Sequence, residues 1–254
     1  MKPPQPRSSR AKSRGAAAKP KRWVTASLLS PEEIAEFYRR LAERNPNPET
    51  ELEFVNHFTL LVAVVLSAQA TDAGVNIATR PLFAHVDTPA KMLALGEEKL
   101  REAIKTIGLF NTKAKNVIAL SRALIDHHGG EVPADLAALQ ALPGVGRKTA
   151  NVVMNCAFGA ETFAVDTHVF RVGNRTGLAP GAKPDDVERV LDAVTPPPYR
   201  RDAHHHLILH GRYVCKARLP ECWRCVVADI CRFQPKTPMP GTGVPPKKPR
   251  VDRA

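Results

Sequence analysis

A chain of 254 residues, 43% of them hydrophobic, is long enough for one large or two small domains with their own cores. Its formal charge of +12 sits at the ends: residues 1–22 hold eight Lys or Arg and no acid, residues 232–254 hold six against Asp252 alone, and residues 23–231 balance 23 basic against 24 acidic side chains. With five cysteines and a longest apolar run of about 13 residues, Phe58 to Ala70, the composition excludes a disulfide-stapled secreted scaffold and a bilayer span, which needs about 20.

Residues 1–27 and 232–254 are rich in Pro, Lys, Arg and small side chains and too poor in apolar surface to order themselves. They are read as disordered basic tails, either merely solvated or acting as tethers for nucleic-acid phosphate. The first tail has no hydrophobic run behind it and so is not a secretory signal, although its lack of acids is transit-peptide-like. Free thiolates fit a reducing cytosol. Ser30-Pro31-Glu32-Glu33 is a capping box with proline at the first helical position, opening a helix to about Asn45. Phe58 to Ala70 reads as a buried core helix. Thr88-Pro89 opens a short helix, Asn111 starts an amphipathic stretch through His128, and Gly129-Gly130 stops it. Asp135 to Leu142 predicts another short helix, Arg147 to Phe158 the next, and Pro184 with Asp185 and Asp186 a third, with acids where the helix dipole favours them. No alternating pattern exceeds Thr162–Val165, so the fold class is all-α.

Between the helices at 135–142 and 147–158 lies Pro143-Gly144-Val145-Gly146, which makes the pair a helical hairpin. Gly144 and Gly146 let backbone N–H groups approach an anion, and the second helix aims its positive end at the same place. An ordinary helix corner is the alternative. On that second helix Ala150, Val153, Met154, Ala157 and Phe158 recur at core spacing, while Lys148 shares the other face with Asn151 and Asn155. A lysine in a first turn opposes the macrodipole, and Arg147 adds like-charge repulsion; both favour the neutral, nucleophilic amine that Schiff-base chemistry needs. Phosphate binding beside Arg147 is the other reading. Asp166 precedes a helical stretch, where it serves as an N-cap and, facing a cleft, could also move protons.

Cys215, Cys222, Cys225 and Cys231 stand in a C-x6-C-x2-C-x5-C run, leaving Cys156 over as a mid-helix core residue. Thiolates this crowded hold a metal centre. Only one C-x2-C pair is present where zinc ribbons use two, which favours an iron–sulfur cluster while leaving zinc open.

The chain resembles the endonuclease III branch of the helix-hairpin-helix DNA glycosylases. The likeness runs through VLSAQATD (65–72), TIGLFNTKA (106–114), GEVPADLAALQALPGVGRKTANVV (130–153), AVDTHVFRVGNRT (164–176), HLILHGRYVC (206–215) and the four-cysteine run, covering nearly all of residues 30–231. It implies a two-lobed fold: a six-helix lobe over 51–160, and a cluster lobe joining residues 28–50 to 161–231, with the DNA cleft between. It also implies a [4Fe–4S] cluster on the four cysteines. Lys148 would be the amine that attacks C1′ of the damaged nucleotide, and Asp166 the assisting acid. Gln69 and Leu109 would wedge into the opened duplex, although a helix end and core packing would otherwise explain them. Gly144, Gly146 and Arg147 of the hairpin and Lys216 and Arg218 of the loop Lys216–Glu221 would meet phosphate. The implied activity is removal of oxidised pyrimidines from double-stranded DNA with cleavage 3′ to the abasic site, by a cytoplasmic, nucleoid-associated monomer of bacterial type with no membrane partner. Two departures stand out. His206 occupies a position where the family pattern has tryptophan, and three consecutive histidines, His204 to His206, invite a metal that their helical fan would not let them share. An adenine glycosylase relative would lack Lys148, and a non-catalytic phosphate clamp would not need Lys148 and Asp166 together.

Overall fold

The computed structural model describes residues 29–241, and the expectations for residues 1–28 and 242–254 lie outside it. Among the described residues every regular element is helical: α1 (Pro31–Arg44), α2 (His57–Leu66), α3 (Asp72–Phe83), α4 (Pro89–Leu95), α5 (Glu97–Ala103), α6 (Phe110–His128), α7 (Leu136–Ala141), α8 (Arg147–Phe158), α9 (Thr167–Thr176), α10 (Pro184–Val194) and α11 (Arg200–Tyr213), with 3₁₀ turns at Pro197–Tyr199 and Cys222–Arg224. None is long and apolar enough to cross a membrane.

Local chemistry places most starts where the sequence puts them. Ser30, Asn56, Thr71, Thr88, Asp135 and Asp166 each cap the following helix through a side-chain oxygen, each cap being worth about 1 kcal/mol. Three expectations change. The apolar run read as a buried helix to Ala70 is helical only to Leu66, and Ser67 to Ala70 turn out of it through a left-handed Gln69 and are not buried. α6 begins at Phe110 behind a left-handed Leu109 (φ 60°), not at Asn111, and Leu109 makes no side-chain cap bond. The stretch 51–160 also holds seven helical segments rather than six, because Gly96 at φ 83° breaks α4 from α5.

Two hydrophobic cores form. The first gathers α2 to α8 around α2, whose residues Phe58 to Leu66 are all buried, as an all-apolar helix requires. The second joins α1 to α9, α10 and α11, with Phe37 and Tyr38 fully enclosed. Burying an aromatic ring of this size contributes roughly 2–3 kcal/mol. Tyr38 stacks on Tyr199 with ring centroids 5.8 Å apart, and its hydroxyl lies 3.0 Å from Thr195 Oγ1. The chain therefore starts in the second core, crosses to the first, and returns through Phe163, Ala164 and Val165, buried but not a strand.

The reading of 232–254 as tail from its first residue needs correction. Arg232 donates its N–H to Thr176 O and pairs with Glu33, Phe233 lies under the Arg175 guanidinium, and Lys236 Nζ donates to the carbonyls of Cys231 and Phe233. Composition missed this because three side chains, Arg232, Phe233 and Lys236, suffice to pin the segment against Glu33 and the cysteine loop.

Candidate active site

A cavity of about 900 Å³ opens between the two cores, and Lys148, Asp166 and Gln69 all line it. Lys148 enters from the first turn of α8 and is exposed to the cavity. Asp166 enters from the opposite lobe as the N-cap of α9, with Oδ1 accepting from the amides of His168 and Val169, both at 2.8 Å. Capping thus uses one carboxylate oxygen and does not consume the other. Amine and carboxylate, 18 positions apart in sequence, reach one cavity because the chain crosses lobes between them.

The rest of α8 differs from its reading as an open polar face. Asn151 and Asn155 are 2% and 6% exposed, because this stripe is a seam against the second lobe. Asn151 Nδ2 donates to Phe163 O (3.1 Å) and Asn155 Nδ2 to Ala160 O and Arg201 O (2.8 and 2.9 Å). Arg147, expected to repel Lys148 and to meet phosphate, instead pairs with Glu188 on α10 at 2.7 Å. The carboxylate offsets the guanidinium and draws it away from the hairpin turn. In that turn Gly144 stands at φ 78°, and a Cβ there would lie 2.8 Å from Asn116 Nδ2, so both backbone conformation and close approach require glycine. Gly146 N-caps α8 with open space around it, leaving the first amides of the helix uncapped by any side chain.

Gln69 and Leu109 are the two described non-glycine residues with positive φ, 55° and 60°. A left-handed conformation costs such residues about 1–2 kcal/mol. Both side chains are exposed, and Leu109 at 58% is no core residue. The two strained turns adjoin, since a Cβ on Gly108 would lie 3.7 Å from Gln69 O.

Several cavity residues received no role from the sequence. Arg212 on α11 bridges the lobes, pairing with Asp72 at 2.6 Å and with Glu51, and His168 and His204 line the same cavity. Asp72 belongs to the VLSAQATD stretch, His168 to AVDTHVFRVGNRT and Arg212 to HLILHGRYVC, but that Arg212 meets Asp72 is decided only when α11 lies across the first lobe.

The three histidines do not converge. His204 and His205 sit edge to face at 5.2 Å, His205 Nε2 lies 3.6 Å from Cys156 Sγ, and His206 Nε2 lies 3.0 Å from Asn45 O. All three are buried, and burial pushes each imidazole's pKa down, that of His204 to about 3, with His205 and Lys148 adding to the effect. An unfolded histidine binds its proton near pH 6.5, so the unfolded chain takes up protons that these sites refuse. Stability is therefore expected to be full above about pH 6.5 and to fall below it, by about 1.4 kcal/mol per pH unit from His204 alone. Thermal midpoints measured from pH 7 to 5 test this; a flat profile would mean that the rings are protonated in the fold. Cys156, partly buried against the first core with its thiol pushed up to about 11, behaves as the core residue expected.

The four remaining cysteines line one cavity in the second lobe, with Cys215 just past Val214, the C-cap of α11, and Cys222 in the second 3₁₀ turn. Burial raises the thiols of Cys215, Cys225 and Cys231, Cys225 to about 12, so free thiolates would be disfavoured there without a metal. Two donors face the sulfurs, Arg175 Nη1 to Cys215 at 3.5 Å and the Phe233 amide to Cys231 at 3.4 Å, and His210 Nε2 lies 3.7 Å from Cys225 Sγ. Arg175 is 3% exposed, and its guanidinium meets this sulfur, the carbonyls of Lys216 and Ala217, and the Phe233 ring. A buried cation beside four sulfurs suits an anionic thiolate centre. Lys216 pairs with Glu221 at 2.6 Å, while Arg218 projects exposed from the same loop.

Comparison with known proteins matches residues 62–197 to the HhH-GPD superfamily base excision DNA repair protein family. The chain is 57% identical to endonuclease III of Rickettsia conorii over 200 residues, covering 79% of this chain and 95% of that one. It is likewise 57% identical to endonuclease III of Escherichia coli K12 over 201 residues, with the same coverage. Among solved structures it resembles a trapped endonuclease III–DNA covalent intermediate and a non-covalent endonuclease III–DNA complex, each with TM-score 0.76 and 44% identity, covering 81% of this chain and 97% and 96% of those chains.

Proposed function

Since the chain belongs to the endonuclease III branch of the HhH-GPD base excision repair superfamily, we propose that Lys148 and Asp166 carry its chemistry and that the strained turns at Gln69 and Leu109 open the duplex. The enzyme is a bifunctional DNA glycosylase and abasic-site lyase for oxidised pyrimidines. The observation that carries the residue assignment is the shared cavity: an exposed amine and a half-capped carboxylate, delivered by different lobes, line one space between them.

In the reaction the damaged nucleotide leaves the stack, which costs a few kcal/mol and less at a lesion. Leu109 and Gln69, held outward by their left-handed backbones, fill the space it leaves. Lys148 Nζ bonds to C1′ as the C1′–N bond breaks, and the bonding pair leaves with the base, which gains a proton. The sugar ring opens to an iminium on Lys148. Asp166 stabilises the developing positive charge and exchanges protons from its second oxygen. Loss of a 2′ proton sends electrons toward the iminium and expels the 3′ phosphate by β-elimination. Hydrolysis then frees Lys148. The uncapped amides behind Gly144 and Gly146, with Arg218 from the cysteine loop, are placed to hold backbone phosphates. Arg147 and Lys216 would do so only after releasing Glu188 and Glu221.

Cys215, Cys222, Cys225 and Cys231, which line one cavity, would hold a [4Fe–4S] cluster, whose part would be to organise the loop from Lys216 to Glu221 rather than to carry a redox step. The purified protein is expected to be yellow-brown with about four iron and four sulfide per chain, and to lose both when any of the four cysteines becomes alanine. Stoichiometric zinc in anaerobically purified protein would overturn the cluster. The proposed working form is a monomer in the bacterial cytoplasm, acting on double-stranded DNA with damaged pyrimidines or abasic sites, with its basic tails as phosphate tethers. Borohydride trapping on an abasic duplex is the direct test of the Schiff base: a reduced, covalent adduct is expected, and its absence would refute the mechanism.

A further inference from the structure

The carboxylate of Glu188 holds α8 on both sides of Lys148, at Arg147 before it and at Asn151 three residues beyond it. Arg147 Nη2 donates to Glu188 Oε1 at 2.7 Å, and Arg147 Nε lies 3.2 Å from each carboxylate oxygen, a bidentate grip on the residue before the lysine. The same Oε1 accepts from Asn151 Nδ2 at 3.2 Å, one residue short of a helical turn beyond the lysine. Glu188 belongs to α10, on the second core, whose Val187 and Leu191 are fully buried, whereas α8 belongs to the first. A side chain of one lobe therefore grips the nucleophile's helix in the other.

Helical geometry shows what this grip controls. Positions 147 and 151 lie about 40° apart around the axis, and Lys148 lies about 60° beyond Asn151, toward the cavity. Two anchors on one stripe oppose rotation of α8 about its own axis, the motion that would swing Lys148 Nζ across the cavity. Asn151 is anchored a second way, through Nδ2 to Phe163 O, and its carbonyl accepts from Thr162 Oγ1 at 2.7 Å, which ties the stripe to the segment leading into Asp166. We infer that Glu188 is a positioning residue, acting through Arg147 and Asn151 to set the direction of Lys148 toward C1′ when the lobes close on DNA. Glu188 touches neither substrate nor reacting atoms in this role; at 18% side-chain exposure it lies in the seam beside the cavity.

The inference rests on Lys148 being the nucleophile, and the two can fail separately. Single-turnover borohydride trapping at saturating full-length protein measures attack, and binding to a duplex carrying a tetrahydrofuran abasic analogue, which cannot form an iminium, measures affinity. Glu188→Ala is expected to slow trapping by about tenfold, the scale of a modest misalignment of reacting atoms, with analogue affinity within about twofold of the parent. Glu188→Gln keeps the shape and one acceptor for Asn151 but loses the charged grip on Arg147, and is expected to slow trapping by only about threefold. If alanine trapped within twofold of the parent, or if slower trapping were matched by an equal loss of affinity, Glu188 would not be a positioning residue. Should the alanine chain fail to fold, the glutamine chain decides alone: trapping at the parental rate overturns the inference. An adduct that survives in Lys148→Gln would instead refute the nucleophile and leave the Glu188 grip without its target.

Discussion

Lys148→Gln is expected to abolish the borohydride-trapped adduct and strand cleavage while leaving binding to damaged duplex intact. Only a primary amine can form the iminium that borohydride reduces to a stable link, and the glutamine amide has no nucleophilic lone pair. The substitution is otherwise mild, because Lys148 is exposed at the rim of the cavity and among the described residues no hydrogen bond or ion pair of its side chain is recorded. Surface changes of this kind usually stay within about 0.5 kcal/mol, so lost activity would not reflect unfolding. Gel separation of the covalent complex together with a binding titration reads both halves. An undiminished adduct in the variant would move the nucleophile to another amine.

Asp166→Asn should reduce base removal by about 10² or more, the usual scale for acid–base assistance. Capping and catalysis separate here because asparagine caps a helix nearly as well as aspartate, and its Oδ1 can still accept from the amides of His168 and Val169. The thermal midpoint should therefore hardly move while the chemical step slows. If base excision stays within a few-fold of the parent, Asp166 is a cap and nothing more. Preformed abasic sites sharpen the comparison: they bypass base departure, so any loss that persists on them belongs to the lyase half of the reaction.

The same geometry gives the substitutions different signatures. Lys148 and Asp166 line the cavity, where changes are expected to act on the chemical step, whereas Glu188 pairs with Arg147 in the seam, where a change is expected to act on the aim of Lys148. Arg212, which joins Asp72 and Glu51 across the cavity mouth, is a second contact between lobes on the side of α11.

The helices themselves were legible because their signals are local. Ser30, Thr88 and Asp166 cap where the chain says they should, the apolar run after His57 could only be a buried helix, and the glycines around Val145 could only be a turn. The spacing of the four cysteines and the pairing of Lys148 with Asp166 were likewise readable, since ligand chemistry and motif travel with the sequence. Tertiary structure decided what faces what. Periodicity put Asn151 and Asn155 on the side away from the first core, but only a second lobe could turn that side into a buried seam and hand Arg147 to Glu188, 41 positions away. Leu109 by its residue type alone suggested core packing, and the structure instead leaves it exposed on a left-handed backbone at φ 60°. Composition made Arg232 to Lys236 look like tail, and contact with Glu33, Arg175 and Cys231 made it a cover for the cysteine loop. Burial, partner and direction are properties of distant segments meeting, and no local pattern encodes them.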